Sequence, residues 1–495
     1  MDEVTEKILT FFKEISSIPR PSGQEEKIAT WLKEWALSRG FSVKFDSVNN
    51  VVIGVPASKG YENLPAIVIQ GHMDMVCEKA CGCTHDFTKD PIVPVIDADW
   101  LMAEGTTLGA DNGIALAIAL ALAEYTTVSH PPLELLFTVD EETGLTGANA
   151  LMPDFITGKI LLNVDSEEEG VFTVGCAGGL NTTIRMPLEY SSVPEDELFF
   201  RLVVEGLSGG HSGVDIHEKR ANANKLLAGT LQLLLDENNI MLLDIKGGSA
   251  HNAIPRHAEA IIAFSPDLKE NVLSLLAGFE SKVLSEYANF EPSLSITLEE
   301  SDAEVGIKAI DASSARRVIG ILMLLPHGVA SISPALPSLV ETSSNLATVN
   351  IEDGELVVVS SQRSSSDTGL AEITGKVTSV AVEYGGNYSH GSGYPAWQPD
   401  MSSPLLQRCR DVYFSVFGEH ARIEAIHAGL ECAVIGSKYE EMDMISFGPT
   451  IKNPHSPDER LYIPSVRKVW DLMAALLASF QEEKMVTSQK KRSRL

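Results

Sequence analysis

Seven side chains of types that bind divalent metals or move protons follow short apolar runs. They are His72, Asp74, Asp111, Glu141, Glu142, Asp165 and His455. Neutral imidazole and carboxylate together are a common donor set for such metals, and metal-assisted hydrolysis needs one further carboxylate to handle a proton. The set therefore predicts a two-metal hydrolytic centre.

Each of these residues also has a simpler interpretation. His72 and Asp74 are two apart, so an extended backbone lets the carboxylate orient the imidazole, but an unrelated surface pair is the alternative. Asp111 precedes an apolar helix and could bridge two cations or cap the helix. The adjacent acids Glu141 and Glu142 could be a base and a ligand or an exposed turn.

Asp165 and His455 complete the predicted set. Asp165 follows a buried strand, and the glutamates after it are expected to be solvated. His455 lies in Asn-Pro-His-Ser-Pro, a rigid loop that could aim an imidazole inward. Either could be an ordinary loop residue, yet the simpler interpretations would require several independent coincidences. Three thiols, Cys77, Cys81 and Cys83, could form a soft metal site but lack paired CxxC spacing, which favours incidental thiols.

Composition narrows the class of protein. The chain has 495 residues and a formal net charge of −30, which disfavours binding to nucleic acids or anionic membranes. The longest apolar run, residues 114–123, is too short to span a bilayer. No secretory signal is recognised at the start, and six cysteines in a chain of this length predict a reducing compartment.

Hydrophobic periodicity predicts the elements that position these residues. Helices are expected at 2–16 and 24–38, with Ser22 capping the second, and at 112–124. Strands are expected at 51–55, 66–70, 133–139 and 160–164. Continuous apolar strands alternating with helices predict an α/β fold with a central sheet covered on both faces. His72, Glu141 and Asp165 each follow a strand, at the sheet edge where ligands bind.

The middle of the chain has a different arrangement of predicted strands and helices. Strands are expected near 199–204, 260–264, 295–298, 346–351 and 356–360, with helices at 223–236 and 269–287. This predicts an α+β insertion that splits the catalytic domain. The expected limits are 1–186 and 392–485 for the catalytic domain, 187–391 for an inserted lid and 486–495 for a basic tail.

Longer motifs resemble one peptidase family along essentially the whole chain. They are QGHMDMV (70–76), HDFTKDPI (85–92), GTTLGADNGI (105–114), DEETG (140–144), NVDSEEEG (163–170), GCAGG (175–179), GGHSGVDIH (209–217), NANKLL (222–227), NAIPR (252–256), YPAWQPD (394–400), HAGLEC (427–432) and GPTIKNPHSPDE (448–459). The chain resembles the dizinc peptidases that include glutamate carboxypeptidases and aminoacylases. Within them it is similar to the aminoacyl-histidine, or non-specific, dipeptidase branch.

The resemblance implies a role for each metal-site residue. Asp111 bridges the two metals, His72 and Asp165 bind one, and Glu142 and His455 bind the other. Glu141 is the general base, and Asp74 orients His72. The resemblance also implies a cis peptide between Asp111 and Asn112. Zinc is the expected metal, with cobalt or manganese as alternatives.

The same resemblance implies roles in the lid. His211 stabilises the oxyanion, and Arg363 holds the terminal carboxylate of the substrate. Asn252 is a second lid contact. Glu431 is a candidate for the substrate's amino group, with a buried structural acid as the alternative.

The expected function is metal-dependent hydrolysis of dipeptides, including Xaa-His dipeptides. Cleavage of N-acyl amino acids or tripeptides is the alternative, and a non-catalytic metal-stabilised scaffold is a third interpretation. A homodimer through the lid and a cytoplasmic location are expected. The last residues, Ser493-Arg494-Leu495, resemble a peroxisomal address, which gives an alternative location.

Overall fold

A computed structural model describes residues 1–301, 308–334, 336–337 and 339–481. The chain divides into two compact units. The first unit comprises Met1–Gly175, Pro399–Ala425 and the segment that starts at Leu430, and the second comprises Cys176–Gln398 and Ile426–Gly429. The predicted tail at 486–495, with Ser493-Arg494-Leu495, lies outside the described residues.

The first stretch of the first unit carries five helices and eight strands. In chain order they are α1 (Glu3–Ser16), α2 (Glu26–Ser38), β1 (Ser42–Phe45), β2 (Val51–Val55), β3 (Ile67–His72), β4 (Pro94–Asp97), β5 (Trp100–Ala103), α3 (Ala110–Glu124), β6 (Leu133–Thr138), α4 (Glu141–Gly144), α5 (Thr146–Ala150), β7 (Ile160–Asn163) and β8 (Val171–Cys176).

The second unit follows. Its elements are β9 (Gly178–Pro187), β10 (Tyr190–Ser192), β11 (Leu198–Glu205), β12 (Gly210–His211), α6 (Ala223–Glu237), β13 (Met241–Gly247), β14 (Ala253–Ile254), β15 (Ala258–Phe264), a short 3₁₀ turn (Pro266–Leu268), α7 (Lys269–Tyr287), β16 (Ser295–Glu300), β17 (Lys308–Ile310), α8 (Ala312–Leu324), β18 (Gly328–Ile332), β19 (Val340–Glu352), β20 (Glu355–Ser364), α9 (Asp367–Glu383) and β21 (Asn387–His390).

The chain then returns to the first unit. Its last elements are α10 (Pro404–Phe417), β22 (Arg422–Ile426), α11 (Glu431–Lys438), β23 (Asp443–Ser446), β24 (Ile451–Lys452), β25 (Arg460–Tyr462) and α12 (Ile463–Ser479). None of the helices in the described ranges is both long enough and apolar enough to cross a membrane.

An eight-stranded mixed sheet, ordered β1-β2-β6-β3-β7-β23-β8-β22, forms the centre of the first unit. β3 pairs in parallel with β6 and β7, and β7 pairs in parallel with β23. All six residues of β3 are buried. Because successive side chains point to opposite faces, both faces of the sheet are covered there. A smaller sheet, ordered β24-β25-β5-β4, lies in the same unit.

The second unit is an α+β structure built on a nine-stranded sheet, whose main path is β16-β11-β15-β13-β19-β20-β9-β21, with β18 added beside β19. Apart from short strands, the series β11-α6-β13-β15-α7-β16 recurs as β9-α8-β19-β20-α9-β21, and the first series is inserted in the chain between β9 and α8. Both halves place their strands in the same order, and they meet through their second strands, β13 and β19. The second unit therefore contains two halves of the same topology.

The predicted fold class is confirmed. The helices α6 and α7 begin where the periodicity placed them, and β2 has its predicted limits. The predicted domain limit at residue 186 cuts β9, which belongs to the sheet of the second unit. The predicted cap of α2 is wrong: Glu25 occupies the cap position, and its side chain makes no capping hydrogen bond to the helix. Ser22 instead donates to Asp74 Oδ2 at 2.8 Å.

Candidate metal centre

The parallel strands β3, β6 and β7 bring three predicted positions to one edge of the sheet. The register pairs His72 with Thr138, so β3 and β6 end level, and it pairs Gln70 with Asn163, so β7 ends two residues before the end of β3. His72 ends β3, Glu141 begins α4 after β6, and Asp165 follows β7. This is the arrangement that the sequence predicted for these three residues.

Asp111 lies between the two histidines. One carboxylate oxygen, Oδ1, is 3.1 Å from His72 Nε2, and the other, Oδ2, is 3.1 Å from His455 Nε2. His72 Nε2 is also 3.3 Å from Asp165 Oδ1, and His455 Nε2 is 3.1 Å from Glu142 Oε2. The peptide between Asp111 and Asn112 is cis, as the resemblance implied.

Asp74 holds two parts of the centre at once. Its Oδ1 is 3.2 Å from His72 Nδ1, which leaves Nε2 of that ring facing Asp111 and Asp165. The same carboxylate accepts the backbone N–H groups of Glu141 and Glu142 at 3.1 and 3.2 Å. Asp74 is fully buried, and these contacts hold its pKa at about 2 although burial opposes ionisation.

Two groups of side chains can each hold a cation and share Asp111. They are His72 with Asp111 and Asp165, and Asp111 with Glu142 and His455. Within each group the candidate ligand atoms lie within 4.8 Å of one another. Glu142 Oε1 is buried and has no hydrogen-bond partner. Because buried oxygens are normally paired, this fits an oxygen that coordinates a cation. The three loop cysteines belong to no such group in the described ranges.

Electrostatics also favours cations here. Burial, with the charges of Asp111 and Glu142, raises the pKa of Asp165 to about 6. Burial raises the pKa of Glu141 well above its usual range, with a contribution from Asp165. Hydrogen bonds to Asp111 and Glu142 raise the pKa of His455 to about 11. Protons on these groups balance the crowded carboxylates, and divalent cations can replace those protons.

Glu167 is a site carboxylate that the sequence analysis missed. It was expected to be solvated, but it is partly buried. Burial and the charges of Asp111 and Asp165 raise its pKa to about 8. Its neighbour Glu169 is not free in solvent either, since it accepts from Lys468 Nζ at 3.0 Å. Only Glu168 of this run is exposed. Like-charged neighbours in sequence gave no signal of which one turns inward.

Glu431 is fully buried in the first unit at the start of α11. Its Oε2 accepts from Gln70 Nε2 at 2.6 Å and from Thr138 Oγ1 at 2.7 Å. Burial raises its pKa to about 7. These contacts favour the structural-acid alternative, although Oε1 has no hydrogen-bond partner. The amino-group role stays a prediction.

The second unit brings His211 and Arg363 together. A Cβ atom added at Gly213 would lie 3.1 Å from His211 Cε1 and 3.2 Å from Arg363 Nε, so both side chains flank this glycine. Burial and the positive charge of Arg363 lower the pKa of His211 to about 4. His211 Nδ1 accepts the N–H groups of Gly213 and Val214 at 3.2 and 3.0 Å. The neutral ring therefore carries its proton on Nε2, where it can donate.

Arg363 is buried in this unit, whereas Asn252 is exposed. Arg363 is 7% exposed, donates to Tyr394 through Nη1, and keeps a buried Nε without a partner. Asn252 is exposed, and its carbonyl accepts the N–H of Ser212 at 2.8 Å. Asn252 directly precedes β14, which pairs with β12 through Ala253 and His211. The three residues thus belong to neighbouring segments of one unit.

A mixed sheet with histidines and carboxylates gathered at its edge, plus an inserted α+β unit, defines a class of metallopeptidase. The family model described as "Peptidase family M20/M25/M40" matches residues 68–479. The chain belongs to this family, which confirms the family prediction from the motifs.

Two relatives are similar over nearly the whole chain. The chain is 42% identical to the cytosol non-specific dipeptidase of Escherichia coli (strain K12), over 94% of this chain and 96% of the relative. The crystal structure of aminoacylhistidine dipeptidase from Vibrio alginolyticus superposes with a TM-score of 0.88 at 39% identity. That match covers 97% of this chain and 98% of the other.

A more distant structure supports the fold alone. Aminopeptidase PepT from Bacillus cereus ATCC 10987 matches with a TM-score of 0.56 at 15% identity, covering 96% of this chain and 98% of that one.

Proposed function

We propose that this protein is a metal-dependent dipeptidase whose substrates include dipeptides with C-terminal histidine. The observation that carries this proposal is the Asp111 carboxylate, whose two oxygens face different histidines at 3.1 Å each. The names of the two similar relatives, a non-specific dipeptidase and an aminoacylhistidine dipeptidase, support the choice of substrate.

We assign the ligands of two divalent cations by the two groups that share Asp111. His72 and Asp165 would bind one cation, Glu142 and His455 the other, with Asp111 bridging. Imidazole nitrogen with carboxylate oxygen suits zinc, and cobalt or manganese can use the same donors. When bound, the pair supplies a Lewis acid for the scissile carbonyl and lowers the pKa of water at the site.

The residues of the chain supply the proton transfers. Glu141 accepts a proton from the attacking water as the water oxygen forms its bond to the carbonyl carbon. The carbon–nitrogen bond then breaks, and Glu141 returns the proton to the leaving amine. Asp74 holds both His72 and the backbone of Glu141, so it orients a ligand and the base together.

We assign substrate-binding roles to the residues of the second unit. The Nε2–H of neutral His211 is a donor suited to the oxyanion formed during attack. The unpartnered Nε of Arg363 is suited to the terminal carboxylate of a dipeptide. Asn252, exposed beside β14, is proposed as a further contact.

We also propose that the protein is a homodimer through the second unit and that it works in the cytosol. The first idea rests on the family resemblance and the second on the name of the Escherichia coli relative. Light scattering on the purified full chain tests the first, and an exclusively monomeric mass at all concentrations would contradict it.

The function is tested with protein stripped by chelator and then refilled with zinc, cobalt or manganese. The panel contains β-Ala-His, Gly-His, Ala-Ala, Leu-Gly, a tripeptide and an N-acetyl amino acid. We expect metal-restored cleavage of the dipeptides, with the tripeptide and the N-acetyl amino acid left intact. Cleavage of only the tripeptide or the N-acetyl amino acid would support the metal chemistry but contradict the proposed substrate class. No turnover with two metals bound would contradict the proposed function.

A further inference from the structure

A fully buried arginine lies between the first two helices of the chain. Arg20 stands between Pro19 and Pro21 and is 1% exposed. Its Nη1 donates to the carbonyls of Met73 and Asp74 at 2.9 and 2.6 Å, and its Nη2 donates to the carbonyl of Gly109 at 2.5 Å. Arg20 therefore ties the segment that carries His72 and Asp74 to the segment that leads into Asp111.

A buried glutamate binds the same second segment from the other side. Glu459 is 2% exposed. Its Oε2 accepts the N–H groups of Leu108 and Gly109 at 2.7 and 2.9 Å. Its Oε1 accepts those of Ala110 and Asp111 at 2.7 and 3.3 Å. The carboxylate thus satisfies the free donors where α3 begins, and it links Asp111 to the loop that carries His455 four residues earlier.

The neighbouring backbone leaves room for the guanidinium. A Cβ atom at Gly109 would lie 2.6 Å from Arg20 Nη2, and one at Gly113 would also lie 2.6 Å from it. Gly109 has a φ of +68°, which a residue with a side chain rarely adopts. The backbone on both sides of Asp111 therefore accommodates the buried guanidinium of Arg20.

The free-energy cost of burying the charges of Arg20 and Glu459 has to be offset by their interactions. An ion withdrawn from water costs several kcal/mol after relaxation, in order of magnitude, unless hydrogen bonds replace its hydration. Here seven backbone groups do so, three carbonyls on Arg20 and four N–H groups on Glu459. All seven belong to segments that carry His72, Asp74 or Asp111, while neither Arg20 nor Glu459 belongs to a group of candidate ligands in the described ranges.

We propose that Arg20 and Glu459 are positioning residues of the two-metal centre, which set the place of Asp111 relative to His72 and His455. This inference rests on the proposed function for its meaning, but its test does not need a substrate. Outer hydrogen-bond partners of metal ligands typically change affinity by roughly 10- to 100-fold when they are removed.

The test uses Glu459→Gln, which keeps the shape of the side chain but leaves only one oxygen for four N–H groups. Apo protein is titrated with cobalt against a chromophoric chelator, and the visible absorption bands of bound cobalt report ligand geometry. We expect cobalt affinity to fall roughly 10- to 100-fold, the absorption bands to change, and kcat at saturating metal to fall while KM stays near the wild-type value.

The matched control is Glu134→Gln. Glu134 also accepts two backbone N–H groups, those of Thr157 and Gly158 at 2.8 and 2.9 Å. It lies near the start of β6, whereas the metal ligands lie at the other end of the strands. We expect this variant to bind cobalt as wild type does, whatever stability it loses.

Arg20→Lys is the second variant, because it keeps the charge but replaces the planar fork with a single ammonium. We expect an intermediate loss of cobalt affinity. Wild-type cobalt affinity and absorption in both Glu459→Gln and Arg20→Lys would overturn the proposal and make the pair merely structural. Failure of the wild-type protein on the dipeptide panel would instead count against the proposed function, since cobalt binding is measured without peptide.

Discussion

At the scale of single residues, Asp74 connects His72, which we propose as a metal ligand, to Glu141, which we propose as the base. One carboxylate faces His72 Nδ1 and also accepts the N–H groups of Glu141 and Glu142. The tautomer of the histidine and the path of the chain at both glutamates therefore depend on one side chain. Asp74 bonds to the backbone N–H groups of Glu141 and Glu142 and not to their side chains. The role of each side chain can therefore be tested by substituting one glutamate at a time.

Glu141→Gln is expected to keep the metal content and to lower kcat by roughly 10²- to 10⁴-fold, since the amide cannot accept a proton. Metal analysis and steady-state rates on the same preparation measure both quantities. Glu142→Gln should instead lose metal, and the exposed Glu168→Gln should change neither. Loss of metal from Glu141→Gln would mean that the two adjacent glutamates have exchanged roles.

The metal-free protein is expected to lose stability as the pH rises from 5.5 to 8. The pKa values of Asp165 (about 6), Glu431 (about 7) and Glu167 (about 8) lie above those of the unfolded chain, 3.8, 4.5 and 4.5. These carboxyl groups thus bind more protons in the folded than in the unfolded state in this range, so their contribution to the free energy of unfolding falls as the pH rises. The raised pKa of His455, about 11 against 6.5, acts in the same direction. The lowered pKa values of His211, His327 and His427 act in the opposite direction only up to about pH 7, where the histidines of the unfolded chain have lost their protons.

Urea unfolding of chelator-treated protein at pH 5.5 and pH 8 measures this change. Refilling with zinc should reduce the difference, because the cation takes the place of the protons. Higher stability of the metal-free protein at pH 8 would contradict the assigned pKa directions.

Much of the centre could be predicted residue by residue from the sequence. Residue type and position after a strand indicated His72 and Asp165, and residue type and position before an apolar helix indicated Asp111. The structure brings these three residues together. Arg20 and Glu459 were not predicted, because they act through backbone groups that no residue type reveals. A charged side chain between two prolines and a glutamate close after His455 were the available signals.

At the scale of elements, α3 is packed so tightly against β3 that one strand position must lack a side chain. A Cβ atom at Gly71 would lie 2.4 Å from Asn112 Oδ1 and 2.7 Å from Ala115 Cβ. The Asn112 side chain accepts the N–H of His72 at 3.2 Å and donates to the carbonyl of Val164 at 2.8 Å. The ends of β3 and β7 are therefore held by the first turn of α3.

Gly71→Ala is expected to reduce the free energy of unfolding by about 1–3 kcal/mol through overpacking. It should also weaken metal binding, because Asn112 holds the backbone of His72. The matched control is Gly278→Ala in α7, where nothing lies within 4 Å of the added atom. That change should be neutral or stabilise by up to about 1 kcal/mol through helix propensity. Equal effects of the two substitutions, measured in urea, would contradict the packing argument.

The observed limits of some helices and strands differ from the limits that the hydrophobic pattern predicted. Periodicity predicted the helix starting at residue 112. The limits of α3 extend back to Ala110, but Asp111 and Asn112 do not have helical backbone angles, so the regular part of the helix follows Asn112. Likewise the expected strand at 346–351 is part of β19, which starts at Val340. Its first half contains Thr342 and Ser343, which are polar but buried, so apolar alternation gave no signal there.

At the scale of the whole molecule, every candidate metal ligand lies in the first unit, while His211 and Arg363 lie in the second. Hydrogen exchange of apo protein and of protein refilled with zinc should therefore differ by unit. We expect slower exchange in β3, α3 and β7 when metal is bound, because binding stabilises the folded form of that unit. Equal slowing in β13 and β19 would show instead that metal binding stabilises both units together.

The position of Glu459 and His455 has a consequence for protein synthesis. Both follow the whole stretch Cys176–Gln398 in the chain, as do β22 and β23 of the central sheet. On the ribosome the N-terminal candidate ligands His72, Asp111, Glu142 and Asp165 emerge first, and domains generally fold as units during synthesis. The complete second unit is thus translated before β23, the second neighbour of β7 in the sheet, exists. The nascent chain therefore has an incomplete sheet edge until β23 is made and an incomplete centre until His455 and Glu459 are made, so we expect peptide-cleaving activity only after residue 459 has been translated.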